Sequence, residues 1–100
     1  GQSFAFNGYL PVKAPERVQA IRRFERRAQS ERQSQLFIEA PYRNVKLMEQ
    51  LLQSLAPETR LTGAMDITAP GEFIRTLRVR EWRAAELPAM NKRPAIFIIG

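Results

Sequence analysis

Whatever chemistry this chain performs is done without histidine or cysteine, because the sequence contains neither. Their absence excludes the Ser-His-Asp triad, Cys–His proteases, thiol redox motifs and zinc ribbons. The carboxylates near predicted strand ends are Glu39, Asp66 and Glu72. Ligands of open α/β sheets bind beyond the carboxyl ends of strands, so Glu39 and Asp66 stand where a site would form. A carboxylate there can take a proton from a hydroxyl or orient it. The competing use is to cap the next turn or pair with an arginine. Tyr9 and Trp82 carry ring faces that can stack on a base or an adenine, against the plainer role of core packing. Neither G-x-G-x-x-G nor G-x-x-x-x-G-K-[ST] occurs, so a complete nucleotide-phosphate loop is missing.

These residues need a frame, and the hydrophobic pattern predicts one. Phe4 and Phe6 alternate at period two within Gln2–Leu10, and Asn7-Gly8 then reads as a turn. Pro15 and Glu16 suit the first turn of a helix that runs to about Ser34. Its apolar stripe is Val18, Ile21, Phe24 and Ala28, flanked by Arg22, Arg23, Arg26, Arg27 and Arg32. The run Gln35–Ala40 is apolar on both sides, which predicts a strand covered on two faces. Pro41 starts a second helix, Tyr42 to about Leu55, and Pro57 stops it. A third strand spans Arg60–Thr68, and Pro70-Gly71 turns the chain into a fourth, Phe73–Arg80. Trp82–Ala85 reads as a short helix or a loop, Pro88–Pro94 as a linker, and Ala95–Ile99 as the closing strand. The order β-α-β-α-β-β-β predicts an α/β (mixed α+β) domain, a five-stranded mixed sheet flanked by helices.

At 100 residues there is room for one domain with a modest core. The longest clean apolar run, Ala95–Ile99, is strand-sized, so no membrane helix is expected. The net charge is +6, and 13 of the 16 basic residues are Arg, which fork onto phosphates and carboxylates. A polyanionic partner and a merely solvated basic surface both fit that balance. Missing cysteines agree with a reducing, cytoplasmic setting. No initiator Met and no leader stand at the start, and the chain reads as a piece of a longer protein.

Five segments, in order, resemble a known family. Phe6-Asn7-Gly8-Tyr9-Leu10-Pro11-Val12-Lys13, with Arg17 after it, resembles the start of the second domain of the tetrapyrrole (corrin/porphyrin) methylases. Leu36-Phe37-Ile38-Glu39-Ala40-Pro41-Tyr42-Arg43 resembles a strand end of their ribosomal branch, the 16S rRNA 2′-O-ribose methyltransferases. Ala64-Met65-Asp66-Ile67-Thr68 is similar to that branch's Ala-Arg-Glu-Leu-Thr, Glu72–Thr76 to the stretch after it, and Lys92–Gly100 to the closing strand. Two positions divide the branches. Corrin enzymes carry Met where Glu39 stands, whereas Arg93-Pro94-Ala95 has the corrin form in place of the ribosomal Lys-Gly-Glu.

The resemblance implies the C-terminal half of a two-domain methyltransferase, with S-adenosyl-L-methionine held between the halves and the glycine-rich loop on the missing N-terminal domain. It implies cofactor positions at Glu39, Ala40, Ala64, Pro94 and Ala95, where small residues let backbone approach a ligand. Tyr9, Lys13 and Arg43 of the same motifs are assigned to substrate, and Glu39 and Asp66 to proton handling at the acceptor. No metal is expected. The implied acceptor is rRNA or a tetrapyrrole, and the implied partners are the protein's own N-terminal domain and a second copy. Two other readings stand beside this one: a non-catalytic RNA-binding module using the Arg-rich helix 16–34, and a dimerisation domain.

Overall fold

The computed structural model describes residues 3–100, so the first residue of the expected opening strand, Gln2, lies outside it. Strand β1 is Ser3–Tyr9 and helix α1 is Ala14–Glu31, with Pro15 in its first turn. Arg32 then takes a left-handed conformation (φ 50°) that ends the helix. Strand β2, Gln33–Ile38, therefore begins two residues before the expected Gln35. A single 3-10 turn, Pro41–Arg43, leads into helix α2, Asn44–Ser54. Strands β3 (Arg60–Met65) and β4 (Phe73–Arg78), the short helix α3 (Val79–Ala84) and strand β5 (Ala95–Ile99) complete the chain.

The sheet is mixed and ordered β1-β2-β5-β3-β4. Strands β1 and β2 are parallel, as a crossover through α1 requires, and every other pair is antiparallel. Phe37 lies at the centre, stacked on Phe24 of α1 and on Phe97 of β5 with ring centroids 6.2 and 6.1 Å apart. Trp82 of α3 is buried and donates its indole N–H to the carbonyl of Leu61 at 2.8 Å. Met48 of α2 and Trp82 both close over Gly63, so all three helices lie on one face of the sheet.

Five expectations change. The sheet is covered on one face, not two. On the open face the register aligns Phe6, Leu36, Ile98, Thr62 and Thr76 in one row and Ile38, Ile96, Ala64 and Ile74 in the next. These side chains are largely apolar, which is why β2 reads as doubly covered. Asn7-Gly8 is no turn but a bulge inside β1: the register slips between Phe6 and Tyr9, and Gly8 adopts φ +67°. Strand β3 stops at Met65 because Asp66 (φ 52°) and Thr68 (φ 67°) leave the extended region. Strand β4 stops at Arg78, whose amide is captured by the Glu81 side chain at 2.8 Å as α3 begins. The α1 stripe buries Ile21, Phe24 and Ala28 as expected, but Arg17 and Ala20 join it while Val18 is only half-buried.

Candidate functional site

A cleft of about 360 Å³ opens where β1, β2 and β3 end and β5 begins. Three open-face side chains, Ile38, Ala64 and Ile96, form its apolar floor. Tyr9 stands on one rim, carried there by the bulge in β1, with its residue 65% exposed. Ile67, just past β3, stands on the opposite side. Glu39 and Pro41 close the β2 end, and Pro94 and Ala95 close the β5 end. The volume lies at the lower end of small-molecule sites, and mainly apolar walls with a few polar groups suit a flat, partly apolar ligand.

Of the residues singled out from the sequence, the cleft gathers Tyr9, Glu39, Ala64, Pro94 and Ala95. Ala40 is adjacent but does not line it. Its N–H donates to Glu39 Oε1 at 2.8 Å and its carbonyl accepts from the Arg43 amide at 2.8 Å, so both backbone groups have internal partners. Lys13 is exposed and Arg43 lies over the ring of Tyr42, 5.0 Å from its centroid; neither lines the cleft. Among the described residues, no group of three carboxylates is placed to hold a metal ion.

The two carboxylates considered for proton handling are both engaged by arginine. Glu39 is buried, its Oε2 accepting from Arg17 Nη2 while Oε1 accepts from the Ala40 amide. Asp66 Oδ2 accepts from Arg93 Nε at 2.6 Å, and Asp66 does not line the cleft. Arg93 also donates to the carbonyls of Ala89 and Gly71, each at 2.6 Å. In this geometry Glu39 holds backbone directly and Asp66 does so through Arg93, which favours positioning over proton transfer for each.

Sequence reasoning missed the frame behind the cleft. Asn44, buried at the start of α2, donates to the carbonyls of Met90 and Arg93 at 2.9 and 2.7 Å. The Lys92 amide donates to the Pro41 carbonyl at 3.0 Å, and the Val45 amide to Asn91 Oδ1 at 3.1 Å. The Asp66 amide donates to the Pro94 carbonyl at 3.0 Å, joining the β3 end to the β5 start. These bonds set the height of Pro94 and Ala95. Polar residues beside helix-start and loop prolines were the only signal available for them.

No family model matches the chain, and no curated protein matches it significantly in sequence. Solved structures do match in three dimensions. The methyltransferase CobJ superimposes with a TM-score of 0.58 at 16% identity, over 99% of this chain and 41% of that one. A uroporphyrin-III C-methyl transferase from Thermus thermophilus, complexed with S-adenyl homocysteine, gives 0.56 at 19% identity, over 99% and 42%. Its native form gives 0.56 at 19%, over 99% and 40%. At these identities the likeness establishes the fold. The chain spans about two fifths of the length of those neighbours.

Proposed function

We propose that this chain is the C-terminal domain of an S-adenosylmethionine-dependent methyltransferase of the tetrapyrrole methylase family, acting on ribose of rRNA. The observation that carries the methyltransferase reading is the cleft. It lies at strand ends, in a fold matched to methyltransferases, and it collects five of the residues that the motifs single out. Its residues fit the cofactor in kind: Ala64, Ile38 and Ile96 offer a flat apolar floor for an adenine, and Tyr9 a ring face beside it. When bound, S-adenosylmethionine supplies a methyl group on a sulfonium sulfur, open to in-line attack by an acceptor hydroxyl. The residues of this chain bind, orient and keep the site dry, which is most of what such a displacement asks of a protein. The glycine-rich loop and the rest of the site are assigned to an N-terminal domain.

The rRNA acceptor is supported by the outer face of α1. Arg22 and Arg26, and Arg23 and Arg27, stack at i,i+4 spacing, a like-charge arrangement that costs about 0.2–0.5 kcal/mol per pair. Glu31 reaches Arg27 at 3.6 Å, while Glu25 is drawn off the face to the Ala56 amide and the Thr59 hydroxyl. A phosphodiester backbone would relieve that repulsion. An rRNA acceptor would place the protein in the cytoplasm. The fold neighbours favour a second acceptor, a corrin or porphyrin ring. The open sheet face, where Phe4 is 69% and Phe6 66% exposed, supports a protein partner there, either the N-terminal domain or a second copy.

The deciding experiment incubates the full-length protein carrying this chain with methyl-labelled S-adenosylmethionine and undermethylated small ribosomal subunits, and in parallel with a tetrapyrrole. Label in 16S rRNA supports the ribosomal reading. Label in the macrocycle transfers the assignment to the corrin and porphyrin enzymes. Label in neither, together with no cofactor binding, refutes the methyltransferase reading and leaves an RNA-binding or dimerisation module.

A further inference from the structure

We infer that Arg17 is a positioning residue whose single buried guanidinium sets both neighbouring walls of the cleft. The inference concerns the geometry of the cleft, and its effect on cofactor affinity rests on the cofactor reading given above. Arg17 is 3% exposed in a helix whose other arginines face outward or lie half-buried. Its Nε donates to the Pro11 carbonyl at 2.9 Å, two residues beyond Tyr9. Its Nη1 donates to Gln50 Oε1 of α2 at 2.9 Å, and its Nη2 to Glu39 Oε2. Glu39 in turn holds the Ala40 amide through its second oxygen. One side chain thus ties the β1–α1 loop, the end of β2 and helix α2 together; the loop follows directly on the cleft residue Tyr9, and the β2 end carries the cleft residues Ile38 and Glu39.

Stability alone is a weak reason for this arrangement. Both side chains of the pair are 4% exposed, and desolvating two charges so fully offsets most of their attraction. A well-packed apolar pair of similar volume commonly matches or exceeds such a pair in stability, whereas removing one partner strands a buried charge. What an apolar pair cannot reproduce is direction. The planar fork of Arg17 holds three acceptors on three elements at once, and each loses its registration when the fork is gone.

The test uses the full-length protein and separates folding from positioning. The single variant Arg17→Met leaves Glu39 buried without its partner and should melt well below wild type. The double variant Arg17→Met/Glu39→Leu replaces the pair with apolar groups and should recover the melting temperature. In that refolded background, binding of S-adenosylhomocysteine should still be weakened about tenfold, the scale of one lost charge-assisted hydrogen bond. Amide exchange of the ligand-free protein gives a second readout, with the residue-17 amide, bonded to the Lys13 carbonyl of the β1–α1 loop, and the Arg43 amide, bonded to the Ala40 carbonyl, exchanging faster than in wild type. A double variant that regains both affinity and amide protection would overturn the inference and reduce the pair to a structural bond. If wild type binds no S-adenosylhomocysteine, the cofactor reading falls, and the exchange rates alone decide the role of Arg17. Should the double variant fail to fold, Arg17→Lys keeps the charge opposite Glu39 but, with one nitrogen in place of three, cannot reach acceptors on three separate elements. It is then judged on the same exchange rates, where unchanged protection would overturn the inference.

Discussion

Removing the guanidinium of Arg93 by Arg93→Met tests whether the β3–β5 side of the cleft is held by side chains or by its strands. Arg93 donates to Asp66, Ala89 and Gly71, each at 2.6 Å. Its side chain is 26% exposed and that of Asp66 21%, so water screens the pair in part. Hydrogen bonds from a charged donor contribute about 1.5–3 kcal/mol each when shielded, and discounting for that exposure leaves a total of about 3 kcal/mol. The loss should stay local. The β3–β5 ladder from Leu61↔Ile99 to Met65↔Ala95 uses its own backbone bonds, and its side chains Met65 and Phe97 are fully buried. Native-state hydrogen exchange is the assay. The amides of Asp66, Ala69 and Glu72, which bond to Pro94, Asp66 and Ala69, should exchange roughly a hundredfold faster, the equivalent of about 3 kcal/mol. Amides in the middle of β3 and β5 should change little. A uniform rise across the whole sheet, or no rise in 66–72, would refute the assignment of Arg93 as the local tie.

Other expectations address the core, the carboxylates and the charged face. Phe37→Ala removes the ring stacked between Phe24 and Phe97 and should cost about 3–5 kcal/mol by urea denaturation; a loss under about 1 kcal/mol would mean the site collapses freely. On the methyltransferase reading proposed above, Glu39→Gln and Asp66→Asn should each lower turnover of the full-length protein by about tenfold or less, because a lost general base costs about a hundredfold or more. A larger loss in either would restore that carboxylate as the proton acceptor. On the proposed rRNA acceptor, Arg22→Glu/Arg26→Glu should weaken RNA binding and flatten its salt dependence, with an unchanged slope of log affinity against log salt counting against phosphate contact. Phe4→Ser/Phe6→Ser should dissociate any assembly built on the open sheet face without unfolding the domain, which light scattering and circular dichroism would report together.

Element order and the principal helices were legible because they depend on local rules. Pro15 and Pro41 mark helix starts, the α1 stripe recurs every three or four residues, and Ala95–Ile99 is too short and β-branched for anything but a strand. Boundaries were less legible where one backbone angle decides them. Nothing local announces that Arg32 and Asp66 will adopt positive φ, which ends α1 early and cuts β3 at Met65. Asn7-Gly8 is a strong turn signal in isolation, yet pairing with β2 holds it within a strand as a bulge.

By itself the sequence determined that chemistry here excludes histidine and cysteine, that strands and helices alternate before a run of strands, and that small or acidic residues fall at strand ends. Tertiary structure alone decided what those strand-end residues do. Glu39 meets Arg17 across 22 positions and Asp66 meets Arg93 across 27, and any of 13 arginines could have filled either place. It also decided that one sheet face stays open, because β2 and β5 carry apolar side chains on both faces and only the helices choose a side. Periodicity depends on neighbours a few residues away, whereas partners and faces depend on packing between segments far apart in the chain, and that information becomes readable only when the sheet has closed around Phe37.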